Sequence, residues 1–258
     1  MDNIALYEKF NWEALKAEDL HEKATLIRSL IPATVKTVLD VGCGNGAITN
    51  YLADYYMITG LDRSESALEF VKTNKILASA DAIPSKDNVF DLVFSSELLE
   101  HLEDEVLENT VKEIKRVSKS YILISVPNAE NPGKLSIQCP ECNYVFNRPN
   151  HLRSFTIESL GALFPEYEMI TSKVLGKKVR YYNPGLLHLK LRITPSKSWI
   201  PYFWIPESKR QTFCPSCENE FTYPYKSNLI ASFLDLVNII ISPKKPYWLI
   251  VLFKKKEE

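Results

Sequence analysis

The chain has 258 residues and a mass of 29.6 kDa, with 45% hydrophobic and 24% charged residues, which excludes a mini-protein, a disordered tail and a coiled coil. Lys and Arg number 31 against 32 Asp and Glu, a formal charge of −1, so no global field draws it to nucleic acid or anionic lipid, and such a partner would need a local patch. The opening MDNIALYEKFNWEALK has no basic region followed by an apolar core, so the expected location is cytoplasmic. The longest apolar stretch, 228–242, is broken by Asp235 and Asn238 and falls short of the ~20 residues that cross a bilayer, so no transmembrane segment is expected.

In chain order, residues 12–30 carry Leu15, Leu20, Ala24, Ile27 and Leu30 at helical spacing and stop before Pro32, which predicts a cap helix. A β-branched run at 34–41 leads into Gly42-Cys43-Gly44-Asn45-Gly46 and a helical stretch at 47–54, giving strand, glycine turn and helix. There follow a strand at 56–61 ending in Asp62, a helix near 66–73, strands at 75–79 and 90–95, a helix at 103–118 and a strand at 121–126. A helix at 156–163, a strand at 167–174 and the apolar YWLIVLF strand at 247–253 complete the series. Strands alternating with helices predict an α/β fold, a doubly wound, Rossmann-like, mostly parallel sheet of seven strands.

Two segments break the rhythm. The expected organisation is a cap helix and cofactor-binding core over 1–131, an insertion over 132–150, core again over 151–176, a second insertion over 177–246, and the last strand with a charged tail over 247–258. Each insertion holds one C-P-x-C pair, Cys139/Cys142 and Cys214/Cys217. Two thiolates at this spacing chelate one Zn²⁺ with little strain, and four complete a closed tetrahedron with no open position, so the expected zinc is structural and ties both insertions into one small lobe. Cys43 reads as a small packing residue.

The glycine turn lets the backbone approach a flat ligand. With Asp62 about 20 residues beyond Gly42, it also satisfies the dinucleotide pattern, so a nicotinamide-dependent oxidoreductase is an alternative. Against it stands Asp40, whose carboxylate beside the glycines suits an ammonium and repels a diphosphate. Asp81, in SADAIP, is a third acid at the same edge.

VLDVGCGNG, GLD, SADAIP, FDLVFSSELLEHL and ISVPN resemble the successive motifs of class I S-adenosylmethionine-dependent methyltransferases, across roughly 34–128. The resemblance implies that Gly42, Gly44 and Gly46 cradle the methionine moiety with Asp40 near its amino end. It implies that Asp62 binds the ribose hydroxyls and that Asp81 and Ala82 meet the adenine, with Ser96 completing the cofactor set. Glu97-Leu98-Leu99-Glu100-His101 is similar to the E-x-x-E-H of ubiquinone-pathway O-methyltransferases and small-RNA 2′-O-methyltransferases, which implies a divalent cation, such as Mg²⁺, on Glu97, Glu100, His101 and His151. His101 or His151 is the expected general base, its ordinary pKa lying near working pH, and Glu97 joins the catalytic set.

Between Lys173 and Phe213 basic residues far outnumber the one acid, Glu207, and Tyr181, Tyr182, Trp199, Tyr202, Phe203 and Trp204 interleave. This surface suits phosphate and a stacked base, or equally the solvated face of a lobe whose aromatics form its own core. Residues 229–241 repeat apolar side chains at helical spacing; the default place for that helix is against the sheet, because its polar face lacks the Lys and Arg of an interfacial helix. The expected activity is methyl transfer to an oxygen or nitrogen of a small molecule, sugar or lipid precursor. An RNA 2′-O-methyltransferase is the alternative, nucleic acid being disfavoured by the near-neutral total charge. A catalytically silent adaptor that binds its partner through the zinc lobe is the other non-oxidoreductase reading.

Overall fold

Strands β1 (Thr37–Val41), β2 (Met57–Asp62), β3 (Asn74–Leu77), β4 (Phe90–Ser96) and β5 (Ser118–Pro127) form the parallel part of one sheet. With β8 (Tyr167–Arg180) and β11 (Lys244–Lys255) its order is β3-β2-β1-β4-β5-β11-β8, and β11 runs antiparallel to β5. The computed structural model describes residues 7–128, 130–193, 210–223 and 229–256. The expected seven-stranded, mostly parallel α/β sheet is therefore present.

Strand alternation sorts the core into two layers. Val38, Ile58, Leu92, Phe94 and Leu123 pack with Ala24 and Ile27 of helix α1 (Ala17–Leu30), whereas Leu39, Val41, Val93, Ile122 and Ile124 pack on the other side with Leu107 and Ile114 of a later helix (Asp104–Val117). Helix α2 (Thr49–Leu52) and helix α3 (Glu65–Leu68) are shorter than their sequence pattern suggests, and the later helix is numbered α4. The cap begins as a single turn at Trp12–Ala14 before α1.

β8 runs to Arg180, past the expected end at 174. Gly176, inside this extension, is a contact point: at φ +93° a Cβ there would stand 2.6 Å from the Trp248 indole. Glycine is required by close approach, and the strand continues.

The chain divides into two compact units. The core unit is Tyr7–Asn128, Phe155–Lys177 and Pro246–Glu258, and holds helix α5 (Ile157–Leu163); the lobe unit is Met1–Leu6, Ala129–Ser154 and Lys178–Lys245. In the lobe, β6 (Ser136–Gln138) pairs with β7 (Val145–Asn147), and β9 (Gln211–Phe213) with β10 (Glu220–Thr222), both antiparallel. Ile137, Cys139, Phe146, Cys214 and Tyr223 form a small core under them. Helices α6 (Pro184–Ile193) and α7 (Leu229–Ile241) make a second cluster through Tyr182, Leu187 and Ala231. The apolar stripe of α7 does not take the expected place in a core: Ala231, Leu234 and Asn238 are its buried residues, while Leu229, Phe233 and Ile240 are exposed. Trp199, Tyr202, Phe203 and Trp204, with Lys197, Glu207 and Lys209, lie outside the described residues.

Candidate active site and metal centre

β1 sits between β2 and β4, so the chain reverses its direction of travel across the sheet there, and in open α/β sheets the carboxyl ends of the strands at such a point are where ligands bind. Gly42, Gly44 and Gly46 leave β1 with φ of +74°, +54° and +71°. A Cβ on Gly44 would also meet the Trp12 ring at 2.9 Å, so the turn has neither the dihedrals nor the room for a side chain. Gly42 N–H donates to the Leu61 carbonyl at 2.8 Å, and Gly44 N–H to Asp62 Oδ2 at 2.7 Å. Asp62 Oδ1 accepts from Ser64 N–H at 2.9 Å; burial raises this carboxyl's pKa against those hydrogen bonds. Cys43 fills space against Gly60, where a Cβ would stand 2.8 Å from its Sγ, and burial raises its thiol. That is the packing role expected of it.

Asp40 is 2% exposed and accepts from Thr49 Oγ1 at 2.6 Å. Desolvation pushes its pKa up to about 7, with the hydroxyl of Thr49 opposing and the charge of Asp62 adding to the rise. A buried carboxylate in this state favours an incoming cation. Asp81 lies after β3 with its carboxyl bonded to Ser79 Oγ, and Ala82 N–H donates to the Ser79 carbonyl at 3.2 Å, closing a turn at the same edge of the sheet.

β4 ends at Ser96, beside Ser125 of β5. Glu97 then adopts φ +55°, uncommon for a residue with a Cβ, and its N–H donates to the Ser125 carbonyl at 2.9 Å. Glu100 and His101 fall in the single turn Leu99–His101, with His101 Nε2 4.0 Å from Glu100 Oε1. The partner of Glu97 is one that sequence inspection missed. Lys23 of α1, 1% exposed, donates from Nζ to Glu97 Oε1 at 3.0 Å and lies 4.6 Å from the Trp248 ring centre. Desolvation lowers the Lys23 pKa, and Glu97, Glu100 and Asp40 oppose that shift. A divalent cation on Glu97 would have to displace this ammonium, so the magnesium site drawn from the E-x-x-E-H resemblance gains no support. In a helical pattern Lys23 reads as a solvated charge; nothing in its spacing announces burial.

Residues 7–15 lie over the same edge. Glu8 accepts from Glu65 N–H at 2.7 Å and Ser66 N–H at 3.2 Å, Asn45 Nδ2 donates to the Trp12 and Leu15 carbonyls at 2.8 Å each, and the Tyr7 ring meets His101 edge-on at 6.0 Å.

In the lobe unit, His151 is 6% exposed and its Nδ1 is hydrogen-bonded to the Glu130 carboxylate, a partner not foreseen from the sequence. The four knuckle cysteines converge: all Sγ atoms lie within 4.8 Å of one another, with Cys139 to Cys217 and Cys142 to Cys214 both at 3.6 Å. A tetrahedron of sulfurs ~2.3 Å from a central zinc has edges of about 3.8 Å, so the set fits that ion. The two knuckles repeat one backbone design. Cys139 N–H donates to the Tyr144 carbonyl and Cys214 N–H to that of Asn219, both at 2.9 Å, and Asn143 and Glu218 take the left-handed position after each second cysteine.

The sheet order and an acid-lined glycine turn at the carboxyl ends of β1 and β2 define the class I S-adenosylmethionine-dependent methyltransferase fold. Residues 39–122 match the family described as a methyltransferase domain. An uncharacterised protein of Methanocaldococcus jannaschii is 29% identical over 175 residues, spanning 67% of this chain and 70% of its own. The ubiquinone biosynthesis O-methyltransferase of Nitrosospira multiformis is 29% identical over 167 residues, spanning 58% of this chain and 67% of its own. The crystal structure of an S-adenosylmethionine-dependent methyltransferase from Archaeoglobus fulgidus superposes with a TM-score of 0.52 at 19% identity, covering 91% and 94% of the two chains. The chain is an S-adenosylmethionine-dependent methyltransferase. The nicotinamide reading is set aside, in keeping with the buried Asp40 behind the glycines.

Two outcomes are expected. Lys23→Ala removes one partner of a buried ion pair and should cost about 3 kcal/mol of unfolding free energy, the low end for such pairs because Glu97 keeps 29% exposure; urea unfolding checks it, and an unchanged midpoint refutes it. Asp40 binds its proton more tightly folded than unfolded, so its contribution is full below about pH 4 and is lost as pH rises toward 7. Asp40→Asn should therefore raise the melting temperature of ligand-free protein at pH 8, leave it unchanged near pH 4, and abolish binding of S-adenosylhomocysteine.

Proposed function

We propose that this enzyme methylates an oxygen, or a nitrogen, of a small-molecule, sugar or lipid-precursor acceptor, with a structural zinc in the lobe. The observation that carries the reading is the buried Asp40 beside three left-handed glycines, a cradle that favours a cationic amino acid and disfavours a diphosphate. On this reading the Gly42–Gly46 turn holds the methionine moiety with Asp40 near its ammonium. Asp62 takes the ribose hydroxyls, its geometry fixed in advance by Gly44 and Ser64, while Asp81, Ala82 and Ser96 line the remainder of the cofactor site. S-adenosylmethionine supplies a methyl group on a sulfonium, whose departure is already favourable.

The protein's task is alignment and removal of the acceptor's proton. His101 and His151 are the residues proposed to take it. Glu130, on His151 Nδ1, would hold that ring in one tautomer and leave Nε2 to accept, as a carboxylate does for a basic histidine. Glu97, expected in the catalytic set and among the possible metal ligands, is recast as the partner of Lys23. Support for an oxygen acceptor comes from the Nitrosospira relative, whose name specifies O-methylation in ubiquinone biosynthesis. The RNA 2′-O-methyltransferase reading rests on E-x-x-E-H, His151 and the basic run after Lys173.

Replacing His101 and His151 separately by Ala, then following single-turnover methylation of metabolite and RNA pools with labelled cofactor, tests both base and acceptor. Loss of the base should slow transfer by at least about a hundredfold with cofactor binding retained; full activity in both variants eliminates the assignment, and label in RNA alone eliminates the small-molecule acceptor. For zinc, untagged protein should carry about one equivalent by elemental analysis. Cys139→Ser with Cys214→Ser should lose the metal and the lobe's thermal transition while S-adenosylhomocysteine still binds; a metal-free wild type with an unchanged lobe transition removes zinc from the account.

A further inference from the structure

Helix α7 is built inside out. Leu229, Phe233, Leu236 and Ile240 fall at i, i+4, i+7 and i+11 on one face, with relative exposures of 88%, 64%, 54% and 77%. The opposite face turns inward and is the more polar: Asn238 is 3% exposed, and Asp235 is bonded to the Tyr182 hydroxyl and to the Lys190 ammonium of α6, which is wholly buried. Asn238 Nδ2 donates to the Tyr181 carbonyl and its Oδ1 accepts from Asn183 N–H, at 3.1 and 3.0 Å. Arg180 donates from Nη1 to the carbonyls of Ile239 and Ser242 at 2.7 and 2.6 Å, satisfying the end of the helix. The outward aliphatic stripe is thus held in place by a buried polar network, so the orientation is specified.

We propose that this face docks on the surface of a lipid bilayer carrying anionic headgroups. Three observations select this occupant. The stripe offers no hydrogen-bonding group, whereas a protein interface of useful size makes roughly one hydrogen bond per 100–200 Å²; hydrocarbon asks for none. Thirteen residues are too few to cross a membrane, so the helix lies in the interface. The helix itself carries no Lys or Arg, so the charge comes from its surroundings: the one acid of α6 and α7, Asp235, is paired internally with Lys190, and the exposed charges at the helix ends, Arg192 of α6 and Lys244 just beyond α7, are cations. The near-neutral total charge of the chain hides this local bias. The docking proposal goes beyond the proposed activity and does not depend on which acceptor is methylated.

The test uses full-length protein and flotation with vesicles of phosphatidylcholine alone or of two parts phosphatidylcholine to one part phosphatidylglycerol. Binding should be stronger to the anionic vesicles, weaken as salt screens the cations, and be unaffected by soluble glycerol phosphate. Phe233→Glu with Ile240→Glu should lower the partition by at least about tenfold while melting temperature and S-adenosylhomocysteine binding stay at wild-type values. Hydrogen exchange on wild type provides a check without substitution, since 229–241 should gain protection with vesicles. Absence of binding, binding indifferent to the double substitution, or a dimer in light scattering that the substitution dissolves while vesicles remain unbound would each overturn the proposal.

Discussion

The arrangement at the sheet edge depends on one carboxylate, Asp62, which accepts the N–H groups of Gly44 and Ser64. Those two bonds tie the loop after β1 to the loop after β2, so the crevice between adjacent parallel strands is shaped before any ligand arrives. A second acid, Asp40, is buried beside it, directed inward by its place in β1; desolvation and the charge of Asp62 raise the Asp40 pKa, while Thr49 and the charge of Lys23 oppose the rise. The site therefore stores unfavourable electrostatic energy, which a cation with hydroxyl donors would relieve. Stability spent on binding geometry is the usual cost of a preorganised site.

A second charge system stands behind the first. Lys23 reaches the sheet edge because α1 packs on the same layer as Val38 and Phe94, the layer toward which Asp40 also points. Its ammonium faces Glu97, whose left-handed backbone places the carboxylate at the exit of β4. The helix described as a cap by its periodicity is thereby an electrostatic part of the crevice as well as a cover. Residues 7–15 extend the same cover over the glycine turn, with Glu8 at Ser66 and Trp12 against Gly44.

Much of this was legible in the amino-acid order, for definite reasons. Parallel strands buried on both faces read as apolar runs, and glycines at positive φ cannot be replaced, so β1, its turn and β2 are visible locally. The knuckles are visible because each pair keeps the short spacing that chelation by two thiolates needs, and the four sulfurs do meet in space. Lys23 and Glu130 were not legible: each acts through a partner distant in sequence or in an irregular loop, and a single charged residue in a polar stretch carries no mark of burial. The extension of β8 beyond 174 was not legible either: it passes through Gly176, whose close contact with Trp248 involves a partner far away in sequence.

Helix α7 shows the limit of periodicity most sharply. A period of 3.6 gives two faces and their relative polarity, and the ordinary inference that the apolar face turns inward rests on water being the only outside medium. Here the inward face is chosen by pairing: the carboxylate of Asp235 meets a buried ammonium, and Asn238 satisfies a backbone donor and a backbone acceptor. Breaking such a network leaves uncompensated polar groups in the interior, a penalty comparable to exposing several aliphatic side chains. Flipping the helix to hide Leu229, Phe233 and Ile240 would therefore strand Lys190 without its acid, and the polar network wins the orientation.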